Sequence, residues 1–185
     1  DVKYPKSYEL EMAARRIVSQ MEDNGIRIDL EYCAEQYEKL KQYVKDSKEW
    51  AEENWGVNIN SSAQLIPFFQ NTLGLEFTKF TNKGAPSASA EQLELFAETG
   101  DESVKDIVDF ILDVKKADKK ANTYFKNFLE FHHESVLHTS FKTLQARTGR
   151  MSSTAPALQT ISKSDPVLRD AFLPHIGEVL LSCDY

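Results

Sequence analysis

Arg147-Thr148-Gly149-Arg150-Met151-Ser152-Ser153, followed by Ala157-Leu158-Gln159 and by an apolar run leading into Asp184-Tyr185, is the stretch on which the reading of this chain turns. Gly149 lets the main chain bend closely against a ligand, and Arg150 offers a fork of donors to base or sugar acceptors. Val179-Leu180-Leu181-Ser182-Cys183 reads as a buried strand that delivers the Asp184 carboxylate at its C-terminal end. A carboxylate so placed suits a divalent cation, although on its own an Asp at a strand end reads as a turn residue.

Upstream of this stretch the texture is helical. Leu10, Ala13, Ile17 and Met21 fall at helical spacing, Gly25 reads as a C-terminal cap, and Ile26, Ile28 and Leu30 alternate as a short strand. Cys33, Tyr37, Leu40, Val44, Ala51 and Trp55 repeat at three and four, with Ser47 the one weak position. With Asp29 as cap and Gly56 as stop, that pattern predicts a helix of about 25 residues and roughly 38 Å. A helix so long with one apolar seam needs a partner. Val104, Ile107, Val108, Ile111, Val114, Ala121, Tyr124, Phe125 and Phe128 supply a second long pattern, basic on its other face.

Between the long helices, Ser61-Ser62-Ala63-Gln64 and Ser89-Ala90-Glu91-Gln92 read as capping boxes, each opening a short helix. Such helix starts either serve only as caps or present their free N–H groups to a phosphate. Pro67 predicts a kink or a shortened helix. The turn-rich, lysine-bearing segment 78–86 reads as an exposed tip. After about residue 131 the pattern becomes extended. Leu137, Thr139 and Phe141 mark a strand with one buried face, and Asp165-Pro166 starts a helix.

The 185 residues carry a net charge of −7, which taken as a total argues against a nucleic-acid partner. The distribution points the other way. Lys115, Lys116, Lys119, Lys120 and Lys126 form one basic stretch, and Lys142, Arg147, Arg150, Lys163 and Arg169 another, while the acid lies mostly in the first hundred residues. A local basic track can hold a duplex on an acidic protein, though Lys115 to Lys126 alone is also readable as a solvated helix face. At 41% hydrophobic residues the chain can bury one or two modest cores and is not disordered by composition. No apolar run reaches the roughly 18 residues of a membrane span, and Asp1-Val2-Lys3-Tyr4-Pro5 lacks a signal-peptide core, so a cytoplasmic protein without membrane contact is expected. Cys33 and Cys183 have neither metal spacing nor a disulfide framework, and read as ordinary buried thiols.

Taken together, Thr148 to Ser153, Leu158-Gln159 and Asp184-Tyr185 resemble the family A DNA polymerases, bacterial DNA polymerase I and its phage relatives. In that family a Thr-Gly-Arg-(Leu/Met)-Ser-Ser segment, an Asn-Leu-Gln-Asn-Ile-Pro segment and an Asp-Tyr-Ser-Gln-(Ile/Val)-Glu strand follow one another over this distance. Asn24-Gly25-Ile26-Arg27-Ile28-Asp29 is also similar to the family's Asn-Gly-(Val/Ile)-Arg-(Leu/Ile)-Asp. The resemblance runs from Leu10 to Tyr185 and implies a mainly α fold with a small β part. Residues 1–31 would be a leading helix and strand at the palm base, 32–131 a helical thumb, and 132–185 the N-terminal part of an α+β palm.

The same resemblance implies roles residue by residue. Asp184 would bind both Mg2+ ions of a two-metal site, joined by the main-chain carbonyl of Tyr185. Arg150 would contact the primer terminus in the minor groove, where a degenerate acceptor pattern suits an enzyme that accepts every sequence. Gln159 would be another duplex contact, and Lys119 with Lys115 would grip the backbone. Asn60-Ser61 and Ser87 to Ser89 resemble thumb segments that meet phosphates. Thr148 lies in the core motif, and Arg147, an extra charge before it, resembles some phage members. Ala157, Thr160 and Ser162 replace the family's Asn, Asn and Pro, which removes two amide side chains from the expected duplex contacts. Trp55-Gly56-Val57-Asn58 leaves no room for the insertion by which some members recruit a processivity factor.

The expected function is therefore part of templated DNA synthesis, the addition of dNTPs to a primer on primer-template DNA. The remaining catalytic carboxylate and the nucleotide-binding helix would lie in a downstream palm and fingers polypeptide. The piece alone is expected to be inactive. The rival reading is a non-catalytic DNA-binding subunit of a split replication enzyme; a helical protein-interaction module is more remote.

Overall fold

The structure, a computed structural model, describes residues 5–143 and 145–183. In chain order its elements are α1 (Pro5–Asn24), β1 (Ile26–Ile28), α2 (Leu30–Trp55), α3 (Ser62–Pro67), α4 (Ala90–Thr99), α5 (Glu102–Lys119), α6 (Lys126–Phe131), β2 (His132–His133), β3 (Val136–Leu137), β4 (Ser140–Lys142), β5 (Ser152–Thr154), α7 (Pro166–Arg169) and β6 (Phe172–Leu173). The fold is mainly helical with a small antiparallel sheet. The chain packs as two units, one made of residues up to Tyr37 and from Asn122 onward, the other of Glu38–Ala121.

In the first unit, the strand order β2-β3-β1-β6 is set by short-range chemistry. Gly25 closes α1 with φ of +60°, its N–H donating to the Met21 carbonyl at 3.1 Å. A Cβ there would lie 2.7 Å from the carbonyl oxygen of Leu137, so only glycine admits the register that pairs Ile26 with Leu137. Asp29 then starts α2 by accepting the Tyr32 N–H at 2.9 Å. The β2–β3 hairpin turns on Glu134 and Ser135, both with positive φ, which is the geometry of a type I′ turn. Ile28, Cys33, Phe125, Phe128, Leu137, Leu168 and Ala171 are buried here, and Phe128 meets Phe125 and Phe172 edge-on.

In the second unit one apolar cluster joins Val44 and Ala51 of α2, Leu65 of α3, Leu93 and Phe96 of α4, and Val104, Val108 and Ile111 of α5. Trp50, Trp55 and Phe110 form an aromatic group that continues through Phe68, Phe69, Phe77 and Phe96. The two long helices thus share a core as expected, and α4 packs along α5. Pro67 ends α3, and a π-helical turn, Phe68–Thr72, follows it. A second π turn, Lys120–Phe125, widens the helix that runs from α5 into α6. Apolar spacing of three and four reads through such a turn, so the sequence predicts one uninterrupted helix there.

Four expectations are corrected. Residues 179–183 form no strand and are exposed, with Val179 75% and Leu181 82% accessible, because no strand among the described residues pairs with them. Leu10, Ile17 and Met21 lie on a helix, yet that face is exposed and Val18 is the buried position. The extended run 136–142 is two strands rather than one, β3 in the four-stranded sheet and β4 paired with β5; Thr139 between them is buried as expected. Cys183 is exposed, whereas Cys33 is buried.

Candidate nucleic-acid interface

In the first unit, antiparallel β4 and β5 flank the Arg147–Arg150 segment, with Phe141 opposite Ser153 and Lys142 opposite Ser152. The link between them ends in a turn in which the Gly149 N–H donates to the Ala146 carbonyl at 3.1 Å, leaving Arg147 and Thr148 at its tip. Gly149 has φ of +74° with open space around it, so its role is conformational. Arg147, Thr148 and Arg150 are exposed, and among the described residues neither guanidinium has a hydrogen bond or ion pair. Two strands therefore hold a pair of unspent fork donors in water.

Gln159 is brought beside this motif by a residue whose role the sequence does not reveal. Ser153 is 7% exposed, and its Oγ accepts the Gln159 N–H at 3.1 Å. That bond fixes the start of the 3₁₀ turn Leu158–Thr160 and leaves the Gln159 carboxamide exposed. Buried Thr139 donates to the carbonyls of Thr154 and Pro156, on either side of the cis Ala155–Pro156 bond. Thr160 is spent internally, since its carbonyl accepts from the Tyr124 hydroxyl at 2.9 Å and its own hydroxyl donates to Ala157. The only sequence signal for the Ser153 contact is a small polar residue alternating inward on a strand.

On its far side, β4 is tied to α1. The Glu22 carboxylate accepts the Phe141 N–H at 2.7 Å and pairs with Arg15 at 3.1 Å. The bond from the Phe141 backbone, and then the Arg15 charge, hold the Glu22 carboxyl below the ordinary carboxylate range.

In the second unit, Lys119 is exposed and Lys115 half-buried on α5; burial holds the Lys115 ammonium below its ordinary range. Asn60 donates to Asp118 at 3.2 Å, and Lys48 lies 3.6 Å from the same carboxylate. The first of the two capping boxes does not form. The Ser61 hydroxyl makes no cap bond, and Gln64 instead accepts the Asn58 N–H at 2.7 Å. The second forms by half: Ser89 Oγ accepts the Gln92 N–H at 3.4 Å, while the Gln92 side chain turns inward to the 78–79 backbone. Ser87 is half-buried, and its N–H donates to the Lys79 carbonyl. Of the segment 78–86, residues 78–85 are exposed, as expected from its turn residues, and Pro86 is half-buried.

Asp184 and Tyr185 lie outside the described residues, and among those described no cluster of three or more His, Cys, Asp or Glu could hold a metal. No helix among them is long and apolar enough to cross a membrane.

Comparison with known proteins gives this geometry a family. DNA polymerase I of Bacillus subtilis is 34% identical over 96% of this chain and 20% of its own length. The thermostable DNA polymerase I of Thermus thermophilus is 33% identical over 96% of the chain and 22% of its own length, and the DNA polymerase of Mycobacterium phage L5 30% identical over 91% and 28%. The chain thus spans less than a third of the curated relatives it matches. A solved structure, the POL domain of Pol1 from M. smegmatis in complex with DNA primer-template and dNTP, superposes with a TM-score of 0.75 at 29% identity, over 88% of this chain and 29% of that one. The sequence pattern of DNA polymerase family A matches residues 30–185, a span that takes in the whole second unit and the Arg147–Gln159 segment, and the chain belongs to that family.

Proposed function

We propose that this chain is the leading part of a DNA-directed DNA polymerase domain, supplying grip on primer-template DNA and the first catalytic carboxylate. Residues 32–131 act as a helical thumb, and 1–31 with 132–185 as the base and first part of the palm. The observation that carries the reading is the Arg147-Thr148-Gly149-Arg150 turn. It is exposed, held by paired strands, and its guanidiniums have no partner among the described residues. Unspent planar donors on a rigid support suit acceptors on a nucleic acid, and the solved relative was captured with primer-template DNA and dNTP.

Arg150 and Gln159 contact the duplex near the primer terminus, with Arg147 and Thr148 beside them. Lys115, Lys119, Asn60, Ser61, Ser87 and Ser89 meet backbone phosphates. Asp184 with the Tyr185 carbonyl offers an oxygen-only donor set, which fits Mg2+. When bound there, two such ions supply activation of the attacking primer hydroxyl and charge neutralisation at the leaving group. The protein's own part is to hold the duplex so that the primer 3′ end meets that carboxylate.

Apolar side chains left in water in the first unit support a downstream palm and fingers polypeptide as partner. Leu10, Ile17, Ile176 and Leu181 are each more than half exposed. The site of action is the cytoplasm of a bacterial or phage-infected cell. Combining the chain with that downstream region and measuring Mg2+-dependent primer extension tests the proposal. Extension should appear only in the mixture and vanish with Asp184→Ala. Extension that survives that substitution sinks the catalytic assignment and leaves a DNA-binding subunit.

A further inference from the structure

Gln92 is fully buried on α4, between Leu93 and the Ser89 cap, yet it is not used as an apolar core residue would be. Its Oε1 accepts three donors: the Thr78 N–H at 3.0 Å, the Thr78 hydroxyl at 3.0 Å and the Lys79 N–H at 2.7 Å. Its Nε2 has no partner among the described residues. The two backbone donors identify the inward atom as oxygen, because a nitrogen there would set donor against donor. A buried carboxamide with one half unsatisfied is costly, so position 92 is shaped around the acceptor.

What the acceptor holds is the base of an exposed loop. From Thr78 and Lys79 the chain runs out to Gly84, with the Thr81 N–H donating to the Ala85 carbonyl and the Gly84 N–H to Thr81. It returns through a bridge between Phe80 and Pro86 and the bond from Ser87 N–H to the Lys79 carbonyl. Both ends are therefore pinned to α4, one by the Gln92 side chain and the other through Ser89, whose hydroxyl accepts the Gln92 N–H. Lys79 pairs with Glu91 at 2.5 Å, which reinforces the base and spends that cation. Lys83 at the tip is exposed, and its ammonium has no partner among the described residues.

We propose that Gln92 is a positioning residue for the grip on DNA: its buried Oε1 holds the 78–87 loop on α4, and that loop presents the Lys83 ammonium and the Ser87 hydroxyl to backbone phosphates. The inference rests on the DNA-binding reading above and assigns Lys83 to the same contact surface. An unpinned loop would have to be ordered when the duplex binds, at a cost to affinity.

Three variants of the chain test this by titrating a fluorescent primer-template at several salt concentrations. Lys83→Ala should reduce the slope of log affinity against log salt by about one, the signature of one lost phosphate contact. Gln92→Met keeps the volume but removes the acceptor, and should weaken binding by about fivefold with a similar loss of slope. Gln92→Glu keeps an acceptor facing the same three donors and should bind within about twofold of the unaltered chain. A residue serving only as core would rank the two the other way, since Met suits an apolar core and a carboxylate does not. Adding Lys83→Ala to Gln92→Met should cost less than the sum of the single effects. Should Gln92→Met fail to fold, Thr78→Val at the exposed loop base removes one donor and should weaken binding in the same direction. Salt-dependent binding that Gln92→Met and Thr78→Val leave unchanged, or strictly additive effects, would overturn the proposal alone. Absence of salt-dependent binding by the unaltered chain overturns the DNA reading and this proposal with it.

Discussion

Glu22 in the last turn of α1 accepts the backbone N–H of Phe141 at 2.7 Å, so a side chain rather than a neighbouring strand satisfies that donor of β4. The same carboxylate lies 3.1 Å from the Arg15 guanidinium, which also reaches the Phe141 carbonyl at 3.4 Å. Both polar groups of Phe141 are thereby taken by α1, opposite Ser153 of the hairpin that carries Arg150.

This arrangement predicts an acid-labile contact. Glu22 has its folded pKa lowered, first by the Phe141 N–H and then by Arg15, so the ionised form is favoured in the folded chain. A group lowered in this way contributes stability that is fully present above its unfolded value, here 4.5, and that is lost as pH falls through the folded value. Urea unfolding of the unaltered chain and of Glu22→Gln should therefore differ at neutral pH, and the gap should narrow as the pH is taken below about 4.5. A gap constant from pH 7 to pH 3 would remove the carboxylate charge from the account.

Gly25 makes a sharper prediction, because two independent penalties coincide there. Its φ of +60° disfavours any L-residue, and an added Cβ would meet Leu137 O at 2.7 Å and Val136 Cγ1 at 2.6 Å. The left-handed conformation alone costs roughly 1–2 kcal/mol for a residue with a side chain. The contact with backbone of the adjacent strand cannot be relieved by a rotamer change. Gly25→Ala should thus destabilise the first unit by more than about 2 kcal/mol, read as a lower urea midpoint. Gly56→Ala, with positive φ but open space, should cost only the conformational part.

These two positions also show how much of the molecule is written locally. Gly25, Asp29, Gly56 and the Asp165-Pro166 start are legible because each acts on its own backbone within four residues. The apolar faces of α2 and α5 are legible for the same reason, since 3.6-residue periodicity is a local signal. Residues 179–183 are not, because an apolar run becomes a buried strand only where another strand offers a ladder. At the candidate interface, Arg150 and Gln159 are visible in a linear motif. Ser153 and Gln92 act by reaching segments six and fourteen residues away, and no short-range pattern encodes which way a Ser or Gln side chain points.

The two thiols should separate cleanly by reactivity. Burial, and then the neighbouring Asp29 charge, push the Cys33 thiol up to about 12, whereas Cys183 is exposed. The thiolate is the nucleophile, so Cys33 has almost none of the reactive form at neutral pH and no access for a reagent. Brief treatment of the native chain with iodoacetamide at pH 8 should add one carboxamidomethyl group, mapped by peptide mass to Cys183. Denatured protein should take two. Labelling of Cys33 at the rate of Cys183 in the native chain would show that α2 opens locally at its first turn.

Arg150 is the residue on which charge and shape can be told apart. It follows a glycine turn closed by the bond from Gly149 N–H to Ala146 and precedes β5, so its backbone is fixed while its guanidinium stays in water. Arg150→Lys retains the charge but loses the planar fork that engages two acceptors at once. Arg150→Ala loses both. If the contact were to phosphate through charge alone, Lys should bind primer-template nearly as well as Arg, and only Ala should lower the salt slope. If it is a forked contact with base or sugar acceptors in the minor groove, both substitutions should weaken binding, by about 1–3 kcal/mol, with the salt slope little changed for Lys. The rigid support favours the second outcome, since a strand-anchored turn adds directional precision that a point charge does not need. Fluorescence titration of the three proteins across a salt series distinguishes them, and a Lys variant indistinguishable from the unaltered chain would reduce Arg150 to a phosphate clamp.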